Sequence, residues 1–141
     1  MKTMATMVKS PKTGGACENN ECMSAAEYFQ AKLNCEMTPA TLKGMMEKKM
    51  TAGLCLIDVR AMEKFNESRI PGAINIPLME LSVKINLLPK EKMIVAYCGD
   101  MTCTMAPKAC LELARKGYKT MELSGGIKAW QEKGFPVEMK A

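Results

Sequence analysis

A short run of apolar residues that ends at a cysteine most strongly limits what this chain can fold into. The run is Met93–Tyr97 (MIVAY), and Cys98 follows it directly. Five apolar or aromatic residues with isoleucine and valine inside are typical of a strand covered on both faces, as in a parallel sheet. A short polar loop with one glycine comes next, and helical spacing begins near Cys103. The pattern therefore predicts a strand, a tight loop and a helix, with Cys98 at the carboxyl end of the strand.

The helix predicted after this loop has a broad apolar stripe and a glycine, Gly117, just past its end. The residues expected to share the buried stripe are Met105, Ala109, Leu111, Leu113 and Ala114. Amide groups in the first turn of a helix lack partners within the helix, and the helix dipole places partial positive charge there. A thiol at such a position ionises more easily than a free cysteine, and the same amides can bind an anion.

Two interpretations of Cys98 are open from this spacing alone. In the functional one, Cys98 is a thiolate inside an anion-binding loop, which suits attack on sulfane sulfur or transient phosphoryl transfer. In the structural one, Cys98 is a buried cysteine at the end of a strand, since free cysteine is among the most buried residue types.

Length and composition indicate one globular domain without a membrane span. The chain has 141 residues, 48% hydrophobic and 25% charged, with a formal net charge of +5. Positive and negative residues are interspersed, and no basic stripe with aromatic residues is present, so we expect no nucleic-acid binding. No apolar run is long enough to cross a membrane, and we recognise no secretory signal. Seven cysteines without such a signal predict reduced thiols in the cytoplasm.

The absence of histidine from the sequence excludes histidine acid–base catalysis, Cys–His dyads and ordinary Cys/His zinc sites. An all-cysteine zinc site is the remaining metal option, and Cys17/Cys22 and Cys98/Cys103 have the widest spacing that zinc ligands use. We expect neither a metal nor a cofactor. Most of the fifteen methionines fall at core spacing and are interpreted as packing residues.

Local signals divide the chain into three parts. Residues 1–22 are expected to form a flexible leader, with Cys17 and Cys22 at its end. Residues 23–37 are expected to hold a helix that starts with a capping box, Ser24 and Glu27, and packs on the domain. A single domain is expected over 38–141, starting with a helix at Thr38-Pro39. Besides residues 93–97, its predicted strands are residues 54–59, 73–76 and 118–123.

Alternating strands and helices predict an α/β fold with a mainly parallel sheet and helices on both faces. Because parallel strands end at one edge, Arg60, Cys98 and Gly125-Gly126 are expected to lie near one another. Asp58 and Arg60 either serve that site or pair with each other to organise the loop, and we favour the pairing.

Four segments in order then carry a specific likeness: LIDVR, RIPGAINIP, IVAYC, and GGIKAW followed by GFP. Together they resemble the rhodanese-like sulfurtransferase domain over about residues 38–138. Asp58 and Arg60 match the DVR of that family, and Gly125, Gly126 and Trp130 match its GG…W. The resemblance implies a five-stranded parallel sheet flanked by helices.

The resemblance also implies that Cys98 is the catalytic cysteine, which takes up sulfane sulfur as a persulfide and passes it to an acceptor. The loop after it then binds the substrate. That loop consists of Gly99, Asp100, Met101, Thr102, Cys103 and Thr104. Its length and its second cysteine, Cys103, are similar to a subgroup with a longer active-site loop.

The chain departs from the usual family pattern in its charged residues. Arg69 stands where the family has a histidine before Ile-Pro-Gly, and Asp100 stands in a loop that often carries a basic residue. A carboxylate there opposes a thiolate and a dianionic donor, which predicts weak thiosulfate activity. Lys108 can compensate if its side chain bends back, so Arg69 and Lys108 join Asp58 and Arg60 as candidate supporting residues.

The expected function is therefore sulfur transfer through a Cys98 persulfide, from a small anionic sulfur donor to a thiol or protein acceptor, by a monomeric protein. Cys103 either resolves the persulfide or packs at the start of the helix. The alternative is a catalytically quiet rhodanese-like module that senses oxidants or binds partners. A Cys-x5-Arg phosphatase is disfavoured because Thr104 occupies the position of the arginine.

Overall fold

The computed structural model describes residues 23–140, and the chain divides into two units between Cys35 and Glu36. Helix α1, Ala25–Cys35, lies in the first unit. Its capping box is confirmed: the Ser24 amide donates to Glu27 at 2.8 Å, and the Glu27 amide donates to Ser24 Oγ at 3.1 Å. Cys17, Cys22 and the predicted leader lie outside the described residues. The docking of this helix on the domain remains a prediction.

The second unit alternates strands with helices, as the sequence predicts. Its strands are β1 (Glu36–Met37), β2 (Leu54–Asp58), β3 (Ile74–Asn75), β4 (Met93–Tyr97) and β5 (Thr120–Leu123). Its helices are α2 (Pro39–Glu47), α3 (Met62–Glu67), α4 (Leu81–Lys84), α5 (Met105–Arg115) and α6 (Gly126–Glu132), and 3₁₀ turns flank α4 at Leu78–Glu80 and Ile85–Leu87. No helix within residues 23–140 combines the length and apolar content that a membrane crossing needs.

All five strands form one parallel sheet in the order β1-β5-β4-β2-β3. The predicted parallel sheet with helices on both faces is therefore confirmed. Strand β1 has only two residues, Glu36 and Met37, paired with Glu122 and Leu123 of β5. The sequence analysis assigned this stretch to the segment of the first helix, because two residues show no period that separates a strand from a linker.

The pleat of β4 distributes its side chains between two apolar clusters, one on each face of the sheet. Ile94, Ala96 and Cys98 belong to the first cluster, with residues of α4 and α5. Val95 and Tyr97 belong to the second, with residues of α2 and α6. The sulfur of Cys98 is thus directed to the α5 face, because successive residues of a strand point to opposite faces.

The buried stripe of α5 consists of Ala106, Ala109 and Leu113. Two predicted members, Leu111 and Ala114, are exposed, so that part of the prediction is wrong. Met105 and Cys110 of α5 also pack, partly buried, against the apolar cluster that contains this stripe.

The end of β2 is fixed by a buried ion pair. Asp58 is fully buried and Arg60 is 8% exposed. Arg60 Nη2 donates to Asp58 Oδ2 at 2.6 Å and to the Ser68 carbonyl at 2.6 Å. The Asn75 amide group donates to the carbonyls of Asp58 and Arg60 at 3.0 and 2.9 Å. These contacts join the loop after β2 to β3, the structural role that the sequence analysis favoured.

Candidate active site

Cys98 lies directly after β4, at the carboxyl edge of the sheet, and is disulfide-bonded to Cys103. The two Cα atoms are 6.5 Å apart, inside the range that a disulfide requires. In this oxidised form Cys98 is 2% exposed and belongs to the apolar cluster on the α5 face. The structure therefore shows the sulfur of Cys98 in a disulfide and not as a thiolate. The prediction that backbone amides surround an ionised sulfur concerns the reduced loop and remains a prediction.

The amino end of α6 holds the backbone of Cys98 in place. The Ile127 amide donates to the Cys98 carbonyl at 3.0 Å, and the Lys128 amide donates to the Gly99 carbonyl at 2.9 Å. Gly126 makes this approach possible. It has φ +63, and a Cβ there would lie 2.5 Å from the Cys98 carbonyl oxygen. The predicted proximity of Cys98 and Gly125-Gly126 is confirmed, and α6 fixes the position of the cysteine through its main chain.

The loop after Cys98 is closed by a turn around Asp100. Its carboxylate accepts a hydrogen bond from the Thr102 amide at 2.9 Å and another from the Thr102 hydroxyl at 2.7 Å. The Cys103 amide donates to the Asp100 carbonyl at 3.2 Å. The bond from the Thr102 hydroxyl is the main reason that the pKa of Asp100 lies below its ordinary value. Asp100 therefore carries its charge at neutral pH and shapes the loop that ends at Cys103.

A cleft of about 670 Å³ lies against the outer side of this loop. Asp100, Met101 and Thr102 line it from the loop, and Lys128 lines it from α6. The charge of Lys128 also contributes to lowering the pKa of Asp100. The sequence analysis looked for compensating positive charge at Lys108 and missed Lys128. The signal was available, because Lys128 lies two residues after Gly126, which was already placed at the site.

The other predicted supporting residues are held elsewhere. Arg60 is bonded to Asp58, as described above. Arg69 lies 3.7 Å from a carboxylate oxygen of Glu138, and its guanidinium sits 4.7 Å from the ring centre of Phe65. Backbone bonds between Arg69 and Glu138, at 2.9 and 2.8 Å, tie the end of the described chain to this segment. Lys108 is an exposed residue of α5. None of Arg60, Arg69 and Lys108 lines the cleft beside the loop.

Among the described residues, Cys35 and Cys55 are free cysteines. Burial raises the pKa of the Cys55 thiol, and the charge of Lys92 opposes that shift only in part. Cys110 is partly buried against the same apolar cluster as Cys98. A thiol with a raised pKa is a poor nucleophile, so Cys55 is a packing residue. Cys98 and Cys103 are the only pair of described cysteines that share a bond.

Comparison with known proteins gives a consistent picture of this region. The family model described as Rhodanese-like domain matches residues 38–133. A sulfurtransferase of Allochromatium vinosum is 30% identical over 88 residues, covering 62% of this chain and 80% of the relative. A crystal structure of a Bacillus halodurans protein matches with a TM-score of 0.74 and 34% identity, covering 82% of this chain and 84% of that one.

A relative with a different name also matches the chain. An HTH-type transcriptional regulator of Mycobacterium tuberculosis is 35% identical over 94 residues, which cover 67% of this chain. Only 42% of the regulator is covered, so this chain spans less than half of that relative's length. Segments of this kind therefore occur within larger regulatory proteins as well as in sulfurtransferases.

Proposed function

The chain belongs to the rhodanese-like domain family, and from that premise we propose that it is a sulfurtransferase in which Cys98 carries the sulfur as a persulfide. In the first step the Cys98 thiolate attacks the sulfane sulfur of a donor. With thiosulfate, a new S–S bond forms to Cys98, the S–S bond of the donor breaks, and sulfite leaves with the bonding electron pair. In the second step an acceptor thiolate attacks the outer sulfur, and Cys98 leaves as a thiolate.

One observation above all supports this assignment: the cysteine is fixed by its backbone while its sulfur forms a bond within the loop. The Cys98 carbonyl is held by the Ile127 amide at 3.0 Å. Reduction of the Cys98–Cys103 disulfide leaves Cys98 as a thiol at the carboxyl edge of a parallel sheet. Ligands bind at this edge in open α/β folds. Both transfer steps are thiolate exchanges and need no histidine as acid or base.

The negative charge of Asp100 in the loop, which Lys128 of α6 offsets only from the other side of the cleft, favours donors other than thiosulfate. Asp100 accepts a hydrogen bond from the Thr102 hydroxyl, which lowers its pKa further below neutral pH, and it lies in the loop that would meet the donor. A fixed carboxylate repels a dianion more strongly than a singly charged or neutral donor. We therefore propose that an organic persulfide of low net charge loads Cys98 faster than thiosulfate does.

The test uses a variant in which Cys98 cannot form the disulfide with Cys103. Trypsin cleaves after Lys92 and Lys108, so both loop cysteines lie in one peptide, residues 93–108. Reduced Cys103→Ser protein is incubated separately with thiosulfate, a polysulfide and an organic persulfide, and the peptide is analysed by mass spectrometry. We expect the added mass of one sulfur atom on Cys98 and no gain in a control that carries Cys98→Ser together with Cys103→Ser. An unmodified Cys98 with all three donors would contradict the proposal.

A second candidate function is oxidant sensing without sulfur turnover. The Cys98–Cys103 disulfide and the similarity to a transcriptional regulator favour it. Hydrogen peroxide would oxidise the Cys98 thiolate to a sulfenic acid, and the Cys103 thiol would then displace water to form the disulfide. Titration of the reduced protein with peroxide separates the candidates. Rapid disulfide formation, combined with no loading of Cys98 by any sulfur donor, would favour the sensor.

A further inference from the structure

We propose that Cys103 is a second catalytic cysteine, which converts the sulfur bound to Cys98 into sulfide and leaves the Cys98–Cys103 disulfide as an obligatory product. This inference rests on the proposed function, because it takes the Cys98 persulfide as its starting point. It assigns the sulfane donor as the oxidant, free sulfide as the product and a dithiol reductant as the partner that resets the protein.

The geometry supports direct attack on the inner sulfur of the persulfide. In the structure the sulfur of Cys103 is bonded to the sulfur of Cys98 itself, with the Cα atoms 6.5 Å apart. Attack at the Cys98 sulfur therefore leads to an arrangement that the folded chain already accommodates. A thiol held in the same loop has a large advantage in effective concentration over a thiol in solution.

Both cysteines are anchored independently of the disulfide. Cys98 is held by β4 and by the Ile127 amide. Cys103 is held by the hydrogen bond that its backbone amide donates to the Asp100 carbonyl at 3.2 Å. Helix α5 follows directly, and its buried residues Ala106 and Ala109 fix it against the sheet. We therefore expect the two thiols to stay close together after reduction of the disulfide, because each cysteine is also held by these other contacts.

The proposed step balances in atoms and electrons. The Cys103 thiol loses its proton, its sulfur forms a bond to the Cys98 sulfur, and the bond from Cys98 to the outer sulfur breaks. The outer sulfur leaves with the electron pair and the proton as HS⁻. The sulfane sulfur is thus reduced to sulfide, and the two thiols are oxidised to one disulfide. A dithiol then restores both thiols by exchange and becomes a disulfide itself.

The experiment is a single turnover without reductant. Reduced protein, freed of reductant under anaerobic conditions, is mixed with one equivalent of an organic persulfide, because its transfer of sulfur to Cys98 leaves an organic thiolate and releases no sulfide. Released sulfide is measured, and peptide 93–108 is analysed by mass spectrometry. The wild type is expected to release sulfide and to yield a peptide lighter by two hydrogen atoms. The Cys103→Ser protein is expected to keep the sulfur on Cys98 and to release sulfide only after dithiothreitol is added.

Cys35→Ser is the matched control, because Cys35 is an exposed cysteine of α1 outside the pair, and it should behave as the wild type does. If wild type and Cys103→Ser both keep a stable persulfide and release no sulfide, the role of Cys103 is overturned and the proposed sulfurtransferase function stands. If Cys98 takes up no sulfur in Cys103→Ser and the wild type releases no sulfide, both proposals fall.

Discussion

Two charged side chains at the end of β2, those of Asp58 and Arg60, hold a loop and are not available for chemistry. Asp58 is fully buried, and its carboxylate is engaged by both the backbone amide and the guanidinium of Arg60. A buried pair is stable only while both charges are present, because either one alone would remain desolvated and uncompensated. The family match at these positions therefore reflects the architecture of the loop.

Replacement of one member of this pair should destabilise the whole domain. Asp58→Asn leaves the buried guanidinium of Arg60 without its counter-charge, and we expect a loss of about 3–5 kcal/mol in the free energy of unfolding. Urea denaturation in reducing buffer measures it. The matched control is Glu67→Gln, which removes an exposed pair with Lys64 and should change stability by less than about 0.5 kcal/mol. Similar effects of the two substitutions would contradict this assignment.

Asp100 offers a prediction about pH. Its pKa is lowered mainly by the Thr102 hydroxyl, so the ionised turn forms above that pKa and is lost as pH falls through it. Thr102→Val removes the hydroxyl donor but keeps the amide donor, and the pKa of Asp100 should rise toward the ordinary value of about 3.9. NMR titration of the carboxyl group measures the shift.

Thr104→Val is the control for this titration, because the Thr104 side chain makes no capping bond at the start of α5. Its Asp100 titration should match that of the wild type. If Thr102→Val also leaves the titration unchanged, the hydroxyl bond does not control the charge of the loop.

At the scale of secondary-structure elements, the close contact between α6 and the end of β4 positions the cysteine. Two amides of α6 bond to consecutive carbonyls, those of Cys98 and Gly99. The contact is possible only because residue 126 has no side chain, since a Cβ would lie within 3.0 Å of three backbone atoms of residues 98 and 99. The glycine pair thus acts on the site through the backbone.

Two glycine substitutions separate this contact from ordinary backbone strain. Gly126 and Gly134 both have positive φ, +63 and +76, but nothing lies within 4 Å of a Cβ added at Gly134. Gly134→Ala should cost about 1–2 kcal/mol from conformation alone. Gly126→Ala should cost clearly more and should slow sulfur loading of Cys98, because the loop must move away. Urea denaturation and timed mass spectrometry of peptide 93–108 test both effects, and equal costs would refute the contact.

The long elements could be predicted from sequence, and of the two shortest strands β3 was predicted and β1 was not. Strand β4 has the predicted bounds because a buried parallel strand is a continuous apolar run, which needs no tertiary information to recognise. Strand β1 escaped prediction because its two residues become a strand only by pairing with β5. The prediction for α5 included Leu111, which is exposed, because the width of a buried stripe depends on how closely the helix approaches the sheet.

The sequence predicted which residues of the site lie close together where this follows from the order of the strands. It did not predict contacts that depend on the direction of a side chain. The location of Cys98 next to Gly126 follows from parallel strands that end at one edge. The engagement of Lys128 with the cleft, and of Arg69 with Glu138, depends on which way each side chain turns. Spacing restricts the candidates for such contacts, but packing among distant segments selects between them.

At the scale of the whole molecule, the disulfide links the redox state of the site to the stability of the domain. The bond between Cys98 and Cys103 joins residues separated by five positions. Closing so short a loop in the unfolded chain removes little conformational freedom, and the chain-entropy relation gives a stabilisation of about 2 kcal/mol. The reduced protein, the form that we propose accepts sulfur, is therefore expected to be the less stable of the two.

Denaturation under two redox conditions tests this link. The free energy of unfolding of the wild type should fall by about 2 kcal/mol when a dithiol is added, since only the oxidised chain has a constrained unfolded state. Cys103→Ser should show no response to the dithiol, because its Cys98 has no partner in the loop. Cys35→Ser should respond as the wild type does, since Cys35 is a free thiol outside the pair. A wild type that is equally stable with and without dithiol would show that the disulfide does not contribute to the fold, and the oxidised and reduced forms would then differ only in the chemistry of the loop.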